Sequence, residues 1–317
     1  MAYQLRQVSL PLLPSGASDI RILHFSDLHL TPARKGEIAD IKGWAKLKPD
    51  LVISTGDFLA HKEAVGVALS ALDELLDLPG LYVFGSNDYY APKFKNPLSY
   101  LKKDSGERNL GEKLPIEEFD RKLQSRGWIN LNNKRSSISI TGLAIDVRGT
   151  DDAHLELDEY ERVSGKKSGD LSIGVTHAPY GRVLDAMAQD EIDLIFAGHT
   201  HGGQVRMPWF GGSRSLTTNC DLPNWRSRGI TKLPNQPYLN VSAGMGYSPF
   251  APLRLFCPGE KTILTPFIVI ELLLLFRFIQ PRFCNSRSNS SIGSFSPKFR
   301  SPESFFKYER GFLNLGA

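Results

Sequence analysis

The chain has 317 residues, 41% of them hydrophobic and 23% charged, with a net charge of +4. That suffices for one large α/β domain with or without an appendage, and it excludes a collagen, a coiled coil or wholesale disorder. The charge excess lies in residues 281–317, which carry six Lys/Arg against two Asp/Glu; the neutral remainder argues against a broad nucleic-acid-binding face.

The first 23 residues carry Pro11 and Pro14 inside a short apolar stretch, a pattern that predicts no signal peptide. Residues 20–26 read as a buried strand, 34–48 as an amphipathic helix ending before Pro49, and 51–54 as a second strand. A helix over 64–78 stops at Pro79-Gly80, and a third strand covers 81–84. This β-α-β-α-β order predicts parallel pairing with helices on the sheet faces. Residues 86–115 read as a long loop, 116–127 as a helix, and 128–130, 137–140 and 143–147 as strands. A strand over 171–176 ends at His177, a helix covers 182–188, and a strand over 192–197 ends at Gly198-His199. Residues 208–236 read as a loop, and strands are expected over 238–242, 253–256 and 262–270.

Residues 1–270 are expected to form the main domain. Residues 271–317 read as an apolar extension followed by a basic, Ser-rich flexible tail. The run 263–279 contains Pro266, Glu271 and Arg277, which fits a core strand running into an extension better than a membrane span. A peripheral membrane contact through 263–317 is one reading of this end; a solvated tail is the other. Cys220, Cys257 and Cys284 form no CxxC pair, so a cytoplasmic, reducing setting is expected.

Five polar clusters follow apolar strands directly: Asp27-Leu28-His29, Gly56-Asp57, Asn87-Asp88, His177, and Gly198-His199-Thr200-His201. Ligands in open α/β sheets collect beyond the strand C-termini. Carboxylates, an amide and imidazoles without thiolate suit Mn, Fe or Zn in a catalytic site. Asp27, His29, Asp57, Asn87, His177, His199 and His201 are more donors than one ion needs. Two divalent ions sharing a carboxylate would use them all. Taken singly, each cluster has a bland reading as a turn cap, a core histidine or a solvated loop. Their joint occurrence after successive strands is what carries the signal.

The stretches FSDLHL, STGDF, THAPY and AGHTHGGQV resemble the calcineurin-like metallophosphoesterase superfamily, and most nearly its bacterial YkuE/YaeI-like phosphohydrolases, over about residues 20–257. The resemblance implies an α/β (α+β) fold, a four-layer αββα sandwich with a dimetal site at the sheet ends. It implies Asp27, His29 and His201 on one ion, Asn87, His177 and His199 on the other, and Asp57 between them. Asn87, Asp88 and His29 are the catalytic candidates. The family usually reads Gly-Asn-His-Asp or Gly-Asn-His-Glu where this chain has Gly85-Ser86-Asn87-Asp88. Asp88 is expected to stand in place of the His that serves the phosphate or leaving group.

The implied activity is hydrolysis of a phosphodiester or pyrophosphate on a small phosphorylated substrate, lipid- or nucleotide-linked. A metal-binding scaffold that lost catalysis at Asp88 and a cyclic-nucleotide phosphodiesterase are the alternatives. Lys93, Lys95, Lys102 and Lys103, interleaved with Tyr89, Tyr90, Phe94 and Tyr100, suggest a substrate lid or an ordinary solvated loop. Arg206 and Tyr180 are each read as either site-lining or structural.

Overall fold

A computed structural model describes residues 3–93, 110–209, 212–233, 237–247, 249–250 and 253–268. The first six-stranded sheet runs β1 (Gln4–Leu13), β14 (Glu260–Ile268), β2 (Ile22–Phe25), β3 (Leu51–Ser54), β4 (Gly80–Tyr82), β5 (Ile129–Asn130). From β2 to β5 every pair is parallel, as the β-α-β rhythm predicts. The second sheet runs β12 (Gly229–Lys232), β13 (Tyr238–Val241), β9 (Leu194–Ala197), β8 (Leu171–Val175), β7 (Leu143–Gly149), β6 (Lys134–Ile140). Its four middle strands are parallel, and β6 and β12 close it with antiparallel edges.

Successive residues of a strand point to opposite faces, and the central strands show both faces covered. Ile22, Leu51, Ile53 and Leu81 pack with Val147, Ile173, Val175 and Phe196 between the sheets. Leu23, Val52 and Tyr82 face the other way, onto α2 (Ala64–Leu72) and α4 (Ile116–Ser125) through Ala68, Leu72, Phe119 and Leu123. On the second sheet, Ile195, Ala197, Leu239 and Val241 meet Val183, Leu184 and Met187 of α5 (Gly181–Gln189). The order helix, sheet, sheet, helix is the expected four-layer sandwich. Each fully buried Leu, Ile or Val contributes roughly 1.5–3 kcal/mol, so the three apolar layers hold the strand ends in fixed register.

Several local expectations are corrected. The helix expected over 34–48 is α1 (Lys35–Ile41) followed by a 3-10 turn at Trp44–Leu47. That over 64–78 ends at Leu72, and the chain descends to β4 through turns. Residues 253–256 form no strand; Leu255 makes a single bridge to Val205. The region expected as loop from 208 holds the hairpin of β10 (Arg206–Trp209) with β11 (Gly212–Ser215), and also β12. The loop from 86 begins with a helical turn, α3 (Ser86–Tyr89). Strand β1 was not anticipated, because Pro11 argues against a strand interior. It is an edge strand, where Pro is tolerated, and its register slips between Pro11 and Leu13.

The opening of the apolar run, 263–268, is sheet: Ile263 and Leu264 are buried in β14 between β1 and β2. No helix among the described residues is long and apolar enough to cross a membrane. The expectations for residues 269–317 and for most of the Lys/Tyr segment, 94–109, lie outside the described residues.

Candidate metal centre

Each of the five clusters begins where a parallel strand ends. β2 delivers Asp27 and His29, β3 delivers Asp57, β4 leads into α3 with Asn87, β8 delivers His177, and β9 delivers His199 and His201. Asp27, His29, Asp57, His199 and His201 all adopt left-handed backbone, with φ between 43° and 68°. Side chains other than glycine seldom take this conformation, and such residues collect at functional sites. Here it turns alternate side chains out of the strand direction into one crevice. Gly56 (φ 92°) makes the approach possible, since a Cβ there would lie 2.6 Å from Gly85 N. Phe58 anchors the Asp57 turn from below: its ring meets Phe119 at 5.2 Å and Phe25 at 6.0 Å in edge-to-face geometry.

Asp27, His29, Asp57 and His201 bring their ligand atoms within 4.8 Å of one another. His29 Nε2 lies 3.5 Å from Asp57 Oδ2, His201 Nε2 lies 3.6 Å from Asp27 Oδ1, and His177 Nε2 lies 3.5 Å from Asp57 Oδ2. Donors around one ion at bonds of about 2.1 Å sit roughly 3–3.5 Å apart. The Asn87 N–H donates to Asp57 Oδ1 at 2.8 Å and its side-chain amide to Oδ2 at 2.7 Å. The amide oxygen and nitrogen are interchangeable in shape, so the same rotamer offers an oxygen to a cation at Asp57. The His199 ring stands edge-on to His177 at 5.2 Å, and its backbone N–H donates to both oxygens of Asp27 at 3.1 Å. The structure therefore brings all seven predicted residues together.

The donor set fits divalent ions on its own chemistry. His177 Nδ1–H donates to Thr55 O at 2.6 Å, which leaves Nε2 as the atom available to an ion; it is buried and has no hydrogen-bond partner among the described residues. His199 donates from Nε2 to Asn219 O at 3.1 Å, leaving Nδ1 free to ligate. His29 and His201 face each other Nε2 to Nε2 at 3.1 Å, a meeting of imidazoles that a shared cation satisfies. Burial, and then neighbouring cationic groups, hold His199 and His201 well below the usual imidazole range. Burial likewise pulls His29 down to about 4. These three are therefore unprotonated donors at neutral pH. His177 differs. Burial lowers it, but Asp57, Asp152 and Asp27 together outweigh burial and push it up to about 9. Burial pushes Asp27 up to about 6 against the pull of His177. Burial opposes the Asp57 charge too, yet His177, His29 and the Asn87 bonds hold its carboxyl below the usual range.

Asp88 is the correction. It does not open onto the crevice: it is fully buried, and its oxygens accept the backbone N–H groups of Asp57 (2.7 Å), Gly85 (3.0 Å) and Leu59 (3.1 Å). Burial and the Asp57 charge push its carboxyl up to about 8, against the Gly85 and Leu59 bonds. Its work is to tie the Asp57 turn to α3. Counted from Gly85, it is also the fourth residue of the run, the place of the acid in Gly-Asn-His-Asp. Ser86 and Asn87 then stand where that run has Asn and His.

Of the other candidates, Arg206 is buried and spends its guanidinium on Gly202 O, Ser213 O and the Ser213 and Ser227 hydroxyls, so it is structural. Tyr180 meets His154 Nδ1 at 3.0 Å. Two groups escaped the sequence reading. Arg254 lies with Nη2 3.3 Å from His201 Nδ1 and donates to the Ala243 and Gly246 carbonyls; nothing in its sequence context announces this. The run Asp151-Asp152-Ala153-His154 follows β7 just as the metal clusters follow their strands, and that position was a usable signal.

Comparison with known proteins agrees with this geometry. The family model for calcineurin-like phosphoesterase matches residues 20–203. An uncharacterized metallophosphoesterase of Aquifex aeolicus is 28% identical over 257 residues, 80% of this chain and 87% of that protein. The phosphodiesterase YaeI of Escherichia coli is 25% identical over 216 residues, 66% of this chain and 70% of its own length. Among solved structures, the phosphopantetheinyl hydrolase PptH from Mycobacterium tuberculosis has a TM-score of 0.42 at 11% identity, over 76% of this chain and 93% of that one, a likeness that carries no functional argument. With a match over more than half its length and a ligand cluster at the sheet ends, the chain belongs to the calcineurin-like phosphoesterase family of dimetal phosphoric ester hydrolases.

Proposed function

We propose that this protein hydrolyses a phosphodiester or pyrophosphate bond of a small lipid- or nucleotide-linked substrate, using two divalent ions drawn from Mn, Fe or Zn. The observation that carries the reading is the convergence of two carboxylates, an amide and four imidazoles, with His177 Nε2 buried, 3.5 Å from Asp57 Oδ2 and without a hydrogen-bond partner among the described residues. Ions held there supply Lewis acidity for a phosphoryl oxygen and lower the pKa of an attacking water.

The chain's own residues supply orientation. Thr55 O and Asn219 O fix the tautomers of His177 and His199, the His199 N–H aims Asp27, and the two Asn87 bonds aim Asp57. Burial of these groups keeps competing water away and strengthens their field.

The preference for diesters and pyrophosphates rests on the absence of a His from the run Gly85-Ser86-Asn87-Asp88. With Asn87 engaged by Asp57 and Asp88 by backbone N–H groups, no imidazole of this run protonates a leaving group, so substrates with acidic leaving groups suffer least. The basic, aromatic sequence that follows α3 favours a phosphorylated substrate with an apolar or nucleobase portion. Asp88 itself gives little support to a scaffold without catalysis, since it is buried and its oxygens accept three backbone N–H groups.

The test is direct. Purified protein loaded with Mn²⁺ should cleave bis(p-nitrophenyl) phosphate faster than p-nitrophenyl phosphate. Inactivity of protein shown to hold two ions, across Mn, Fe and Zn, would sink the proposal.

A further inference from the structure

The end of β7 reaches the same edge of the second sheet as His177 and His199. β7 pairs in parallel with β8 up to Gly149 opposite Val175, and Thr150 prolongs the pairing. Its N–H donates to Val175 O at 3.1 Å, and its hydroxyl meets the Thr176 hydroxyl at 2.9 Å. Asp151, Asp152 and His154 therefore leave the sheet beside His177. His154 packs its ring 4.6 Å from that of His199.

The two adjacent carboxylates are treated differently. Asp151 is used up locally: its Oδ1 accepts the Tyr89 hydroxyl and the Asp152 N–H, both at 2.7 Å. Asp152 is fully buried, and its Oδ1 accepts the His154 N–H at 3.0 Å. Its Oδ2 is buried with no hydrogen-bond partner among the described residues. A buried carboxylate oxygen without a donor is costly, and one kept in a native site calls for a cation.

Charge balance points the same way. Under the division of ligands given above, one ion has Asp27 and a share of Asp57. The other, between His177 and His199, has only its share of Asp57 together with neutral donors. Hard divalent ions favour anionic oxygen.

We infer that Asp152 contributes a carboxylate oxygen to the ion on the His177–His199 side, as an eighth donor of the centre. This assignment rests on the dimetal reading above. His154 holds the carboxylate through its backbone N–H and buttresses His199 through its ring.

The experiment counts ions. Full-length wild type, Asp152→Asn and Asp151→Asn are stripped, titrated with Mn²⁺, and assayed for bound metal by plasma mass spectrometry and calorimetry. The Asn amide oxygen keeps the His154 bond, and Asp152→Ser serves as a second variant should Asp152→Asn fail to fold by circular dichroism. Wild type and Asp151→Asn should hold two ions. The Asp152 variants should hold one at wild-type affinity and bind the second about 10–100-fold more weakly. Wild type binding two ions while Asp152→Asn or Asp152→Ser binds both as tightly overturns this assignment alone. Equal loss in Asp151→Asn also overturns it, because the loop and not the carboxylate would be responsible. Fewer than two ions on wild type overturns the dimetal reading and this assignment with it.

Discussion

The two sheets contribute opposite kinds of candidate ligand and hold them by opposite means. The first supplies oxygen donors, Asp27, Asp57 and Asn87, with His29 its one imidazole; the second supplies the imidazoles His177, His199 and His201. The carboxylates are aimed by N–H groups: Asp27 by His199, Asp57 by Asn87, and Asp88 below them by three backbone donors. Two of the second sheet's imidazoles are aimed by carbonyls, His177 by Thr55 O and His199 by Asn219 O. Two of these bonds cross between the halves, since Thr55 follows β3 and Asp27 follows β2. Neither half can set the site alone, and the packed layer between the sheets fixes the distances.

The largest expected effect comes from the one residue that both sets of imidazoles approach. Asp57→Ala should lower phosphodiesterase activity by at least about a hundredfold and reduce bound metal, read by turnover and ion content. Retention of two ions and of most activity would break the picture of Asp57 as the shared carboxylate.

Asp88 tests the N–H side of the comparison. Asp88→Ala leaves three buried backbone N–H groups without acceptors, at about 1–3 kcal/mol each before relaxation. Thermal melting should show a loss of several degrees at the least. Asp88→His should likewise melt early and should not raise turnover. A rise in activity would restore Asp88 to the substrate face.

The carbonyl side is tested by pH. His177 is raised to about 9 in the metal-free protein. Its stabilising contribution is then fully present below the unfolded imidazole value of about 6.5 and lost as pH rises through about 9. Asp27, raised to about 6, and Asp152, raised to about 7, act in the same direction at lower pH. The melting temperature of metal-free protein should therefore fall from about pH 6.5 to 9, and loading with Mn²⁺ should flatten that fall. A metal-free melting temperature that climbs over this range would contradict the charge assignment.

The smallest effect on catalysis is expected at His24, the buried histidine of β2 that is not a ligand. Its ring bonds Thr55 Oγ1 at 3.0 Å and Asn240 Nδ2 at 2.8 Å, and burial pulls it down to about 3. His24→Ala should cost about 1–3 kcal/mol of stability while leaving two ions bound and turnover within a few fold. Loss of an ion would move His24 into the centre.

The particular residues show why one histidine was legible and another position was misread. His29, His177, His199 and His201 each follow an apolar strand, and strand ends are the one place where a linear sequence predicts convergence. His24 sits inside the strand IRILHFS, so its exclusion was legible too. Asp88 was misread because a short helical turn decides which of Ser86, Asn87 and Asp88 looks outward, and four residues carry no periodicity from which to read a face. Asp152 was passed over because nothing in Gly-Thr-Asp-Asp-Ala-His separates the spent carboxylate from the open one.

The sequence by itself determined the α/β layering, the family, and the strand-end positions of the seven candidate ligands, because hydrophobic period and strand-end chemistry are both local properties. Only the tertiary structure decided the partner of each nitrogen, the burial of Asp88, the placing of β1 beside β14 and the arrival of Asp152 beside His177. Those depend on which backbone donors and acceptors meet across the fold, and a contact between residues far apart in the chain leaves no mark on either one alone.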